Sequence, residues 1–249
     1  MDDPRVIVCG YLMKTQAAIA IIPARFNSTR LPGKPIVQIH GKTLIEHVYR
    51  RVELARSVDR VVVATDDTRV IEAVTGFGGH VLMTRRDHCS GTDRLAEVAE
   101  GFDPDVLIVN VQGDEPMVEP QVIDRAVMTA RMSDVEIVTL MTRMTNPRDI
   151  QDANRVKVVT NRDGLALYFS RSPIPSAGTC FLHLGLYVYR GRFLKKFAAL
   201  ERTPLEIAER LEQLRALEHG YRIRVVEVES ESWGIDTPAD LERFKALVE

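Results

Sequence analysis

The sequence predicts an α/β fold: a mainly parallel central sheet with helices on both faces, joined to a small mixed subdomain. Three observations carry that expectation. Short runs of small and β-branched residues, too brief to make stable helices, read as buried parallel strands. Between them lie segments patterned at helical spacing, as Leu44, His47, Val48, Arg51, Val52 and Ala55 are across residues 43–56. Each buried run also ends in a loop rich in glycine or charge, and right-handed crossovers set such loops along one rim of the sheet.

Taken in order, residues 17–22 (AAIAII) form the first strand and 43–56 the first helix, with Glu46 and Arg50 four apart on its surface. Residues 60–65 (RVVVAT) are a second buried strand ending in Asp66 and Asp67. A short helix over 69–74 is closed by Gly76, Gly78 and Gly79, and a third strand covers 81–83. A polar loop then enters a helix for which Thr92 is the expected N-cap, with Leu95, Val98 and Ala99 inward. Residues 105–111 (DVLIVNV) make the clearest strand and run directly into Gln112, Gly113, Asp114, Glu115 and Pro116, before a helix over 120–131.

The rhythm changes in the second half. Strands are expected over 136–141, 156–160, 166–169 and 184–189 with little helix between them, which suits antiparallel additions, and 170–180 reads as a loop. Helices follow over 193–200 and 204–219, then a strand over 223–228. A final helix over 237–248 has Thr237 as N-cap, Pro238 at its first position and Asp240 three residues past the cap. The expected organisation is a single domain over 14–249, with a small sugar-binding and dimerisation subdomain around 133–190. Residues 1–13 are an N-terminal extension, and Met13 offers an alternative start.

A chain of 249 residues with 45% hydrophobic content and a net charge of -2 is long and apolar enough for an ample core. The near-neutral balance argues against a general nucleic-acid binder. No run is long enough to span a bilayer. Cys9, Cys89 and Cys180 are scattered and odd in number, fitting a reducing cytoplasm without a disulfide framework. The local cation clusters therefore call for small anionic ligands.

The first cluster is PARFNSTRLPGK, residues 23–34, at the carboxyl end of the first strand, where open α/β sheets bind ligands. Gly33 beside Arg25, Arg30 and Lys34 brings backbone N–H groups and positive charge together, as phosphates require, although a solvated basic loop has the same composition. Asp114 and Glu115 directly follow a buried strand, where an ionised carboxylate needs a partner. They suit a hard cation such as Mg²⁺, which takes few protein carboxylates and several phosphate oxygens. Asp236, just before the last helix, is a second such acid or simply a helix-entry residue stabilised by the dipole. No GxGxxG follows the first strand, so a Rossmann dinucleotide site is disfavoured.

The segments PARFNSTRLPGKP, SGTDR, NVQGDEP, HLGLY, LEQLR and GIDTPADLERF, in this order, closely resemble the 3-deoxy-manno-octulosonate cytidylyltransferases over essentially everything after Met13. That resemblance implies a nucleotide-diphospho-sugar transferase-like fold. It also implies transfer of CMP from CTP to the anomeric hydroxyl of 3-deoxy-D-manno-octulosonate (Kdo), releasing pyrophosphate, with Mg²⁺ as cofactor and a cytoplasmic homodimer as the working form. By the same resemblance Arg25, Lys34, Asp114 and Asp236 are the catalytic set, the two aspartates being the metal ligands. Ala24, Arg25, Arg30, Lys34, Arg85, Ser90, Gly91 and Gln112 would hold the nucleotide. Arg94, Gln112, Arg171, His183, Tyr187, Glu212 and Gln213 would surround the sugar, with Arg94 and Arg171 apt for its carboxylate. The chain departs from the family pattern at 176–182, where SAGTCFL replaces a longer, more charged loop. A cytidylyltransferase for another acidic sugar and a metal-dependent glycosyltransferase are the competing readings.

Overall fold

The computed structural model describes residues 7–8, 11–12, 16–26, 31–88, 90–230 and 233–248. Arg30, Cys9 and Cys89 lie outside the described residues. Nine strands make the main sheet: β1 Ala18–Ala24, β2 Arg60–Thr65, β3 Val81–Met83, β4 Leu107–Asn110, β5 Ile137–Arg143, β6 Lys157–Thr160, β7 Ala166–Ser170, β8 Phe181–Arg190 and β9 Ile223–Glu227. β1 is central, pairing in parallel with β2 on one side and β4 on the other, and β3 extends the sheet beyond β2. Past β4 lies β8, antiparallel to it, then β5, antiparallel to β8, and finally β9, parallel to β5. The β6–β7 pair joins the start of β8 as a side branch. In the extension, Ile7–Val8 pairs with Tyr11–Leu12.

The alternation along β1 explains its unbroken apolar run. Ala18, Ala20 and Ile22 face one core with α1 Leu44–Glu53, α2 Thr68–Gly76 and α4 Pro120–Met132. Ile19 and Ile21 face a second core with α3 Gly91–Ala99, α6 Gly191–Ala198 and α8 Gln213–Glu218. A strand buried on both faces has no polar positions to show. A small third core packs α9 Pro238–Lys245 over Ile39, Leu44 and Ile235. Among the described residues no helix is long and apolar enough to cross a membrane.

Several boundaries differ from the sequence reading. The N-cap of α3 is Ser90, not Thr92: Ser90 Oγ accepts from Asp93 N, and Asp93 returns the bond in a capping box. Thr92 is buried and its hydroxyl instead donates to Glu212. The continuous helix expected over 204–219 is two, Pro204–Glu209 and Gln213–Glu218, because Arg210 turns left-handed at φ 55°. Strand β8 begins at Phe181 rather than Leu184. Both faces of its second half are covered within the chain, Leu186 and Val188 by one core and Tyr189 by the other. The surplus of apolar residues expected there reduces to Phe181, Leu182 and Leu184, which are half-buried.

Candidate functional site

Three segments far apart in sequence meet at one ammonium group. Gly33 adopts φ 69°, a conformation that favours glycine, and its N–H bonds to Phe26 O at 3.2 Å, so the turn returns Lys34 to the rim. There Lys34 Nζ donates to Asp114 Oδ2 at 2.6 Å, to Ile235 O at 2.9 Å and to Asp236 Oδ1 at 3.0 Å. Asp114 arrives on the loop that leaves β4. That loop crosses directly over the end of β1: a Cβ on Gly113 would stand 2.7 Å from Pro23 O, so only glycine fits without a shift of backbone. Ile235 N donates to Asp114 O at 2.8 Å and ties the two acid-bearing segments together.

Electrostatics in this cluster run in opposite directions. Burial works against the Lys34 charge, but Asp114 and Asp236 outweigh it and raise the ammonium above the usual lysine range. Burial, followed by the charges of Asp114 and Asp236, pushes the neighbouring Glu115 carboxyl up to about 8. The rim is therefore acidic and already holds one cation between two carboxylates. Among the described residues no group of three or more His, Cys, Asp or Glu side chains converges as metal ligands. A divalent ion here would have two protein carboxylates, a donor set that suits Mg²⁺ completing its shell with phosphate and water oxygens.

Around this centre the structure gathers most of the residues expected from sequence. Ala24 is buried opposite Thr65 at the strand end, and Arg25 is exposed with Nη2 donating to His88 O at 3.0 Å. Gly91 opens α3 beside Pro23, so that helix points its N-terminus at the end of β1. Gln112 Nε2 reaches Gly185 O at 3.4 Å, which links the acid-bearing loop to β8. On β8 the His183 ring meets Phe169 edge-on at 5.0 Å and Tyr187 at 5.3 Å. Burial pushes the His183 imidazole down to about 3 and holds the Tyr187 phenol well above its ordinary range, so both are neutral near pH 7. Glu212 precedes α8, bonded to Thr92, and Gln213 is buried at its first position. Arg85 is exposed and points along α3 toward Asp87 and Glu97, beside a cavity of about 670 Å³ also lined by His88 and Lys195.

Two arginines behave differently from expectation. Arg94 was expected at the sugar, but it is 0% exposed, its Nη2 3.0 Å from Asp66 Oδ2 and its Nη1 bonded to Thr84 Oγ1. A guanidinium so enclosed braces the ends of β2 and β3 and does not line the cleft. Arg171 is half-buried, and its guanidinium donates to the carbonyls of Glu209 at 2.8 Å, Ala153 at 3.0 Å and Arg210 at 3.4 Å. The bonds to Glu209 and Arg210 hold the chain where the Pro204–Glu209 helix ends, at the left-handed Arg210. Sequence reasoning missed the organiser of this corner, Glu209, whose carboxylate accepts from Ser170 Oγ at 2.7 Å, Arg171 N at 2.9 Å and Tyr168 Oη at 3.3 Å. It also missed Thr139, whose hydroxyl lies 2.9 Å from His183 Nε2. Neither belongs to a local motif; a lone threonine inside a strand resembles any strand residue.

A sheet covered on both faces, with a lysine held between two carboxylates at its strand ends, has the architecture of a nucleotidyltransferase. A family model described as Cytidylyltransferase matches residues 19–223. A 3-deoxy-manno-octulosonate cytidylyltransferase from Syntrophotalea carbinolica is 53% identical over 244 residues, covering 91% of this chain and 96% of its own. Another of that name, from Solibacter usitatus, is 54% identical over 236 residues, covering 92% and 93%. A solved structure of CMP:2-keto-3-deoxy-manno-octonic acid synthetase complexed with CTP superposes with a TM-score of 0.89 at 43% identity, covering 93% of this chain and 98% of its own. A 4-diphosphocytidyl-2C-methyl-D-erythritol synthase, at 16% identity and a TM-score of 0.66, shares the fold. The chain belongs to the 3-deoxy-manno-octulosonate cytidylyltransferase family.

Proposed function

We propose that this protein transfers CMP from CTP to the anomeric hydroxyl of Kdo, giving CMP-Kdo and pyrophosphate for lipopolysaccharide biosynthesis. The observation that carries the reading is the Lys34 ammonium held between Asp114 and Asp236 at the carboxyl ends of the strands, in a chain whose relatives are named for this reaction. In-line displacement at phosphorus needs positioning and charge neutralisation more than a protein nucleophile. Lys34 and Arg25 neutralise the charge growing on the departing pyrophosphate. Asp114 and Asp236 would hold Mg²⁺, and that ion would supply charge to orient the triphosphate and to make the sugar hydroxyl more acidic.

Ser90 and Gly91 present the start of α3 to the nucleotide, while Gln112, His183, Tyr187, Glu212 and Gln213 supply hydrogen bonds to the sugar. Arg171 keeps that wall in place and offers a cation to the sugar carboxylate. The reaction runs in the cytoplasm on CTP, and the protein works as a homodimer through residues 170–189, where Phe181, Leu182 and Leu184 remain half-buried. Sedimentation equilibrium at micromolar concentration tests the dimer, and a fully active species of monomer mass excludes it. Pyrophosphate release with each nucleoside triphosphate, with and without Kdo, tests the reaction. Release is expected only with CTP and Kdo together, and equal release with a different acidic sugar overturns the assignment.

A further inference from the structure

Strand β8 does not run straight past β5. Leu184 lies opposite Leu140, but Tyr187 lies opposite Thr139, so Gly185 and Leu186 bulge out of register. The Thr139 side chain fills the space beneath the bulge and is 0% exposed. Its Oγ1 has three neighbours: Leu186 O at 2.8 Å, Leu184 O at 3.2 Å and His183 Nε2 at 2.9 Å. A hydroxyl has one proton to give and lone pairs that accept. Both carbonyls only accept, and giving the proton to the ring would leave two oxygen lone pairs, Leu186 O at 2.8 Å foremost, facing Oγ1 with no hydrogen between them, so the single proton goes to a carbonyl. Oγ1 can then engage the ring only as an acceptor, and Nε2 must be the nitrogen that carries hydrogen.

In a neutral imidazole the other nitrogen is then bare. The environment favours that neutral form, since the ring is packed against Phe169 and Tyr187 and burial lowers its basicity. Among the described residues the ring's hydrogen bond is the one at Nε2, and His183 is half-buried rather than enclosed, so Nδ1 is left for a ligand. Resting on the reaction proposed above, we infer that Thr139 is a positioning residue that fixes His183 as the Nε2–H tautomer, so that Nδ1 accepts a hydrogen bond from a sugar hydroxyl. His183 then has no positive charge to offer the sugar carboxylate, which must find its partner elsewhere. The bulge that brings Gln112 against Gly185 O is the same one that sets the Thr139 hydroxyl under the ring.

Two measurements test this. Long-range ¹H–¹⁵N spectra of ¹⁵N-histidine-labelled protein at pH 7, without substrates, are expected to show His183 with its proton on Nε2. A proton on Nδ1, or an imidazolium, overturns the inference whatever the enzyme's substrate. Thr139→Val removes the hydroxyl at nearly constant volume, and it is expected to raise KM for Kdo about three- to tenfold, the worth of one neutral hydrogen bond, with KM for CTP unchanged. Thr139→Ser keeps the hydroxyl and is expected to restore the Kdo value. Equal losses for CTP and Kdo, or a serine variant no better than the valine one, reduce Thr139 to a packing residue and overturn the inference. If the wild-type protein makes no product from CTP and Kdo, the proposed reaction fails while the tautomer measurement stands.

Discussion

Removing the Asp66 carboxylate separates two accounts of Arg94. In the structure this guanidinium has no exposed surface, and among the described residues its one acidic partner, Asp66, is 3.0 Å away. Asp66→Ala leaves a buried charge with, among the described residues, only the Thr84 hydroxyl against it, and stripping one partner from a buried ion pair costs about 3–5 kcal/mol. For a chain of this length each kcal/mol is worth about 2–4 °C, so the melting temperature is expected to fall by roughly 6–20 °C. Replacing both partners, Asp66→Ala with Arg94→Met, removes the stranded charge and fills its place with an apolar stem. That double variant is expected to recover most of the loss, because an apolar replacement of a whole buried pair is often close to neutral. Thermal unfolding followed by circular dichroism measures the stability, and pyrophosphate release at varied Kdo measures the site. If Arg94 only braces β2 and β3, the double variant keeps its KM for Kdo within about threefold, the effect of a small shift at a site it does not touch. A variant that is stable again but has a KM for Kdo raised tenfold or more would show that Arg94 reaches the sugar, and the reasoning from burial would be wrong.

Lys34→Ala is expected to lower kcat about 10²–10³-fold, as the loss of one preorganised charge at a transition state does, and Lys34→Arg to rescue it only in part; a raised KM for CTP with unchanged kcat reassigns Lys34 to ground-state binding. Asp114→Asn is expected to abolish turnover at saturating Mg²⁺ while leaving the melting temperature within a few degrees, since the acid sits on the rim; near-normal turnover removes it from the metal site. Gly113→Ala drives a methyl into Pro23 O, so the Asp114 loop must shift, and kcat is expected to fall about 10²-fold for a displacement near 1 Å, with wild-type kcat as the contrary result. His183 predicts an acid-side loss of stability. Its folded value near 3 lies below the ordinary 6.5, so the unfolded chain binds the extra proton first and stability falls as pH drops from about 6.5 towards 3. At pH 5 that amounts to about 2 kcal/mol, and His183→Gln is expected to flatten this part of a urea-midpoint profile against pH.

The first half of the fold was legible because its signals are local. A run such as residues 60–65 can only be a buried strand, and its alternation with 3.6-residue periodicity dictates the crossover topology whatever lies further along the chain. The start of α9 was equally plain: Thr237 and Asp240 satisfy one another in a capping box within a single turn, with Pro238 at the first helical position. The break at Arg210 was not, because the bonds that hold the chain there come from Arg171, nearly forty positions earlier. Local periodicity runs straight through that site.

The candidate site divides along the same line. Asp114 could be placed on the rim from sequence, since a carboxylate directly after a buried strand has nowhere else to go. Its pairing with a lysine 80 residues earlier, itself bonded to an acid 202 residues later, required the sheet to bring three strand-end loops together. Residue type alone made Arg94 and Arg171 equivalent candidates for a carboxylate; burial separated them, enclosing one and leaving the other half-open. Thr139 had no signal at all, because a threonine in a strand acquires a role only when a neighbouring strand bulges over it. The sequence by itself determined which segments are strands and helices and which loops share the rim, through interactions that act within a turn or a pleat. The tertiary structure alone decided which charges meet, because Coulomb and hydrogen-bond partners are chosen by distance in space and not along the chain.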